Sequence, residues 1–204
     1  MKKSWAILEI LVGLLVLITA IITLYPFKFF NIQTGAGIMA YGTVISALIL
    51  LIVGVFLAIV FSYKSSSLAK KINVVTSVLV IFTAVALLYF QLFAIGQLWL
   101  HLFFGVGLLS YGVGRVVFGA LTVENNFGLR VFNSAIGIAI GVLSIVVILF
   151  QMVLVSSSLG VYVYYTYGYF TRVAFVLIGV DCLVSAMLGM FFNRQKQEFV
   201  RKRE

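Results

Sequence analysis

The chain has 204 residues, 64% of them hydrophobic and only 9% charged, with a net charge of +9 and a mean hydropathy of +1.24. Soluble domains are roughly 45–50% apolar and about 25% charged, so five acids and fourteen bases cannot clothe a water-soluble globule, and the apolar excess has to face lipid. The basic balance does not indicate nucleic acid, because the cations sit at the ends of apolar runs rather than on one polar face.

A helix that crosses about 30 Å of hydrocarbon needs about 20 apolar residues. Six stretches reach that length: 5–25, 38–62, 72–95, 98–119, 131–155 and 168–192. The runs are continuous rather than alternating, so they are read as helices, which in lipid also satisfy every backbone group within the segment. The fold expected is therefore an all-α integral membrane protein of six transmembrane helices, forming one domain over residues 1–204. The first run follows Met1-Lys2-Lys3 in the manner of a secretory signal. It is long enough to span, carries Glu9 and lacks a small-x-small cleavage site, so it is expected to be retained as a helix. The third and fourth runs are separated only by Gly96-Gln97, which implies a tight turn at the membrane surface.

Positive residues in short loops stay in the cytoplasm. Twelve of the fourteen bases fall on one side of this arrangement, namely Lys2, Lys3, Lys64, Lys70, Lys71, Arg115, Arg130 and those from Arg194 onward, whereas only Lys28 and Arg172 fall on the other. The expected location is the cell membrane with both termini cytoplasmic. Trp5, Tyr25, Tyr63 and Trp99 mark helix ends at headgroup level. The tyrosine-rich stretch 161–170 reads as an outer aromatic belt, with a contact for a partner subunit as the alternative. The basic tail 194–204 retains topology and suits anionic lipid.

The third and fifth helices align without gaps, Asn73 through Phe90-Gln91 matching Asn133 through Phe150-Gln151, and the first helix runs over the same length from Leu8 to Tyr25-Pro26. Each is followed by a helix richer in glycine: Gly42-x3-Ser46 with Gly54, then Gly105-x-Gly107 with Gly112-x-Gly114 and Gly119, then Gly179 with Ser185 and Gly189. This predicts three parallel repeats of a helical hairpin, over about 1–63, 64–124 and 125–194.

Hairpins with these elements resemble the HdeD-like membrane proteins, a family named for a bacterial acid-resistance protein. The resemblance rests on Trp5…Gly13 and Tyr25-Pro26, on Phe104-Gly105-Val106-Gly107-Leu108-Leu109-Ser110-Tyr111-Gly112, and on Val176-Leu177-Ile178-Gly179-Val180-Asp181. It covers nearly the whole chain, and the second and third hairpins close their first helix with Phe-Gln where the family often has Pro. What it implies is a six-helix membrane fold and an association with acid stress, without a known reaction.

Among residues able to carry chemistry, Asp181 stands out near the middle of the sixth helix. Intramembrane acids face protein or water, so Asp181 is read either as a hydrogen-bonded link between helices or as a proton or cation site. No second midplane acid, lysine or histidine is in view to complete a relay. Glu9, Asn73 and Asn133 lie at comparable depths near the cytoplasmic ends of their helices and are expected to form a polar cluster, with Arg115 joining it through a pairing with Glu9 or else snorkelling to the headgroups. Gln91 and Gln151 fall near the outer surface, where hydration accounts for them.

Gly137-x3-Gly141, extended by Ser134 and Ser144, makes a small-residue stripe suited to close helix packing, either inside the protein or against another subunit. His101 is the only histidine and Cys182 the only cysteine, so no disulfide within the chain and no metal or haem site is expected. Nucleotide and hydrolase motifs are absent, and no cofactor is expected. The function expected is that of a non-enzymatic multi-pass membrane protein with a structural, accessory-subunit or stress-protective role. Its partners are the lipid bilayer and either a second copy or a larger membrane complex. The competing expectation is a small proton- or cation-linked transporter or channel using Asp181.

Overall fold

A computed structural model of the chain describes residues 3–24, 35–64, 67–92, 97–121, 127–155 and 160–201, and all of these are helical. The helices are α1 (Lys3–Leu24), α2 (Gly35–Lys64), α3 (Ser67–Leu92), α4 (Gln97–Leu121), α5 (Phe127–Val155) and α6 (Gly160–Arg201). The turn expected at Gly96-Gln97 and the end of the first helix at Tyr25-Pro26 fall wholly or partly outside the described residues. So do the side chains of His101, Gln91, Gln151, Trp5, Tyr63 and Trp99, and those of the tyrosines in 161–169.

The helices cover their outside with apolar side chains and turn their polar ones inward, among a larger set of buried apolar residues. On α3 the outward positions Val75, Val78, Phe82 and Val85 are 50–61% exposed, whereas the inward positions Asn73, Thr76, Ser77 and Thr83 are at most 7% exposed. The same division holds on α5, where Ile138, Val142, Ile145 and Leu149 face out while Asn133 and Ser144 face in. An apolar exterior of this extent is stable only in hydrocarbon. Four helices carry apolar stretches long enough to cross it, Lys70–Tyr89, Leu102–Leu121, Phe127–Leu149 and Arg172–Phe191, and shorter apolar stretches run over Ala6–Ile21 and Val44–Ile59. The described residues are those of a helical membrane protein.

Several helices outrun the apolar runs seen in the sequence. With 42 residues, α6 is about 63 Å long at 1.5 Å per residue, roughly twice the hydrocarbon thickness. Its polar ends continue the helix beyond the apolar span instead of stopping at it. The tyrosine-rich segment and most of the basic tail are thus helical extensions of α6.

Packing follows a ring. The close neighbours are α4 with α5, α2 with α3, α1 with α6, and α3 with α4; α5 and α6 touch less, and α1 and α2 meet at few points. Two of the tightest pairs therefore join successive expected hairpins rather than lying within one. Large side chains fill the middle: Tyr111, Phe104 and Leu108 from α4, Phe175 and Ile178 from α6, and Leu50 from α2 are all buried. Phe104 and Phe175 meet edge to face with centroids 5.9 Å apart.

Small residues let the close pairs approach. A β-carbon placed on Gly112 of α4 would lie 2.7 Å from the Gly137 carbonyl oxygen of α5, and one on Gly137 would lie 2.7 Å from the Gly112 carbonyl. Ser134 packs against Gly119 in the same seam. The stripe Ser134–Gly137–Gly141–Ser144 thus serves the internal α4–α5 contact. A β-carbon on Gly141 itself would meet nothing within 4 Å. At the C-terminus of α4, Arg130 donates to the carbonyls of Gly119 at 3.3 Å and Ala120 at 2.9 Å, closing two of the orphan acceptors there.

Gly112→Ala and Gly137→Ala are expected to destabilise the bundle by about 1–3 kcal/mol through backbone displacement, whereas Gly141→Ala should change stability by less than about 0.5 kcal/mol. Unfolding of the three variants in bicelles checks the ranking.

Candidate functional site

The polar interior is organised by one carboxylate. Asp181 is fully buried at the middle of the apolar stretch of α6. Its Oδ2 accepts hydrogen bonds from the Tyr111 hydroxyl and from Arg115 Nε, and its Oδ1 accepts from Arg115 Nη2. Arg115 is 2% exposed and Asp181 not at all, so both side chains lie inside the bundle. The two-pronged contact is the geometry for which a guanidinium is built and a lysine is not.

Local helix geometry makes the meeting possible. Tyr111 and Arg115 are four residues apart on α4 and share a face, as do Asp181 and Ser185 on α6. The Cα–Cβ bonds of a helix tilt toward its N-terminus, so the Arg115 side chain is directed toward the turn that holds Tyr111 and not toward the helix end at Leu121. That tilt is why snorkelling fails as a description of Arg115: the guanidinium turns into the bundle and binds Asp181.

Ser185 extends the network. It accepts from Arg115 Nη2 at 2.8 Å, and its hydroxyl lies 3.4 Å from both Asn133 Oδ1 of α5 and Asp181 Oδ1. One hydroxyl proton serves one of those two acceptors at a time. Asn133 is fully buried, and its Nδ2 makes no hydrogen bond. The chain Tyr111–Asp181–Arg115–Ser185–Asn133 therefore ties α4, α5 and α6 together through side chains.

Glu9 is 3% exposed on the inward face of α1. Gly13, one turn further along, would with a β-carbon lie 3.0 Å from Cys182 Cβ and 3.1 Å from the Gly179 carbonyl. Because α1 and α6 run antiparallel here, this contact sets Glu9 at the level of the turn that holds Ser185. Asn73 lies on α3, where its backbone carbonyl accepts from Thr76 at 3.0 Å and from Ser77 at 2.6 Å. Hydroxyls that return their protons to their own helix in this way are satisfied without leaving it.

Asn73, Thr76 and Ser77 line a crevice together with Tyr111 and Arg115. Of the residues singled out in the sequence, Asp181, Arg115 and Asn133 meet in one network, Asn73 reaches it through the crevice, and Glu9 borders it from α1. Tyr111, Thr76 and Ser77 were not read as site residues, and Ser185 was read only as a small residue for packing. The four-residue spacing of Tyr111 from Arg115, and of Ser185 from Asp181, is the signal that could have found those two. Among the described residues no three His, Cys, Asp or Glu side chains converge as a metal site would need.

Fold and site together define a helical membrane protein with a buried, ion-paired polar core. No family model, characterised protein or solved structure matches the chain.

Tyr111→Phe removes a hydrogen bond to a charged acceptor and is expected to cost about 1.5–3 kcal/mol. Ser110 only returns its proton to the Val106 carbonyl at 2.8 Å, so Ser110→Ala should stay within about 0.5 kcal/mol of the parent. Thermal or denaturant unfolding in detergent compares the two.

Proposed function

We propose that the protein is a non-enzymatic multi-pass membrane protein with a structural, accessory-subunit or stress-protective role, in which Asp181 links helices. The observation that carries this reading is the engagement of Asp181 by Arg115, Tyr111 and Ser185. A carboxylate that carries ions or protons across a membrane has to be released and recaptured, and one held by a two-pronged guanidinium is costly to release. The partners proposed are lipid together with a second copy or a larger membrane complex, and the location is the cell membrane.

The reading includes six transmembrane spans, both termini in the cytoplasm, and three parallel hairpin copies. Supporting the copies, Gly54-Val55, Gly112-Val113 and Gly179-Val180 behave alike on α2, α4 and α6. Each glycine docks on an odd-numbered helix, α3, α5 and α1 respectively. Each valine faces outward, 36–46% exposed, and each following residue (Phe56, Gly114, Asp181) is buried. On this account the last hairpin packs on the first as each earlier hairpin packs on the next. Membership of the HdeD-like family belongs to the same proposal, supported by the motifs at 104–112 and 176–181.

A small proton- or cation-linked transporter or channel using Asp181 is the second reading, favoured by the polar crevice that reaches Arg115. Liposome reconstitution separates the two. The structural role predicts proton and cation flux no greater than in protein-free vesicles, for the wild type and for Asp181→Asn alike. Robust wild-type flux abolished by Asp181→Asn overturns it. Tags on the two chain ends are expected on the same face of the bilayer, and accessibility from opposite faces would refute the topology.

A further inference from the structure

The glycines that dock even-numbered helices on odd-numbered ones also align the polar residues of the interior. A β-carbon on Gly54 of α2 would lie 2.8 Å from Ile81 Cγ1 of α3, and one on Gly112 of α4 would lie 2.9 Å from the Gly141 nitrogen of α5. One on Gly179 of α6 would lie 2.5 Å from Leu17 Cγ of α1. Ile81, Gly141 and Leu17 therefore hold one packing position in the three helix pairs. Eight residues before each stand Asn73, Asn133 and Glu9, which are 4%, 0% and 3% exposed. The same buried place carries a neutral amide in two pairs and a carboxyl group in the third.

The charges of the interior do not balance around that carboxyl group. Among the described residues the buried ionic side chains are Glu9, Arg115 and Asp181, so two acids share one base. Asp181 takes Arg115 in a two-pronged contact and the Tyr111 hydroxyl as well, and these are partners for a carboxylate ion. On α6, against which α1 packs, Asp181 and Cys182 are the titratable side chains at this level, and Glu9 lies within electrostatic reach of Cys182. Residues 44–59 of α2 hold no titratable side chain, and α4 contributes Tyr111 and Arg115. The balance is the same whether Glu9 meets Arg115 as well or a neutral neighbour, because one guanidinium compensates one carboxylate. A carboxyl group left over inside a membrane bundle takes up a proton instead of staying charged.

We propose that Glu9 is a proton-binding site. In the folded protein at neutral pH it carries a proton taken from the aqueous phase. As a neutral carboxylic acid it fills on α1 the place that Asn73 and Asn133 fill on α3 and α5. The proposal rests on neither the structural nor the transport reading of Asp181.

Infrared spectroscopy of the full-length protein in nanodiscs at neutral pH tests it without a substitution. A protonated carboxyl group absorbs in a carbonyl band apart from that of a carboxylate, and isotopic labelling of the side-chain carboxyl carbon moves the band of the labelled residue type. Asp181 is the only aspartate in the chain, and the other glutamates, Glu124, Glu198 and Glu204, lie outside the six apolar runs, where neutral pH keeps them ionised. A protonated band is expected that shifts with glutamate labelling, ignores aspartate labelling and is absent from Glu9→Gln. No such band, a band that moves with aspartate labelling, or one that survives in Glu9→Gln overturns the proposal. Should Glu9→Gln fail to fold, the two labels decide.

Unfolding as a function of pH gives a second readout. An acid that is protonated when folded and ionised when unfolded stabilises fully below its unfolded value, about 4.3 for glutamate, and that contribution is lost as pH rises. The folding constant of the parent, relative to that of Glu9→Gln, is therefore expected to fall by up to about tenfold per pH unit between about pH 5 and about pH 7. A ratio that stays flat or rises over that range contradicts the proposal.

Discussion

The side-chain network that joins α4, α5 and α6 depends on the contact between Arg115 and Asp181. Either ion alone at the centre of a membrane helix costs about 2.5–3.5 kcal/mol even on the most lenient insertion scales, and removal of one partner from a buried pair costs about 3–5 kcal/mol. Held in a two-pronged contact, with Tyr111 and Ser185 occupying further acceptor and donor positions, the two become compatible with an apolar surround. A buried pair is a weak source of net stability and a strong source of specificity. Here α4 and α6 do not pack closely along their length, so the side-chain bridge sets their register where backbone packing does not.

The remaining construction follows from the absence of a hydrophobic driving force between helices in lipid. Close approach has to come from small residues and from short-range dispersion. The α4–α5 seam at Gly112 and Gly137, the α1–α6 seam at Gly13 and Gly179, and the Thr83–Gly107 and Thr76–Gly114 contacts between α3 and α4 all use a missing β-carbon to bring backbones together. The sum of these contacts arranges the helices as a ring whose apolar core encloses a polar network. Thr76 and Gly114 also line the small crevice between α2, α3 and α4.

Much of this was legible in the sequence. Continuous apolar runs located the helices, because lipid solvation of an α-helix asks for little more than length and apolarity. Asp181 announced itself as an acid far from any helix end, and the small-residue stripe on α5 announced a close contact, though which helix it met was not encoded locally. Arg115 is legible as a polar residue inside its helix, but its partner Asp181 lies 66 residues further on and on another helix, so the pairing is not encoded locally. The pairings across the expected hairpins were hidden for a different reason: they depend on which glycine meets which backbone, a property of two distant segments at once. The reach of α6 was hidden as well, because hydropathy marks where a helix enters lipid and not where it ends.

A double-mutant cycle on Arg115→Met and Asp181→Met, with unfolding free energies measured in bicelles, bears most directly on the ion pair. Each single change is expected to destabilise strongly, and the double variant by less than the sum, with a coupling of at least about 2 kcal/mol. Additivity within about 0.5 kcal/mol, the behaviour of independent sites, would contradict the account.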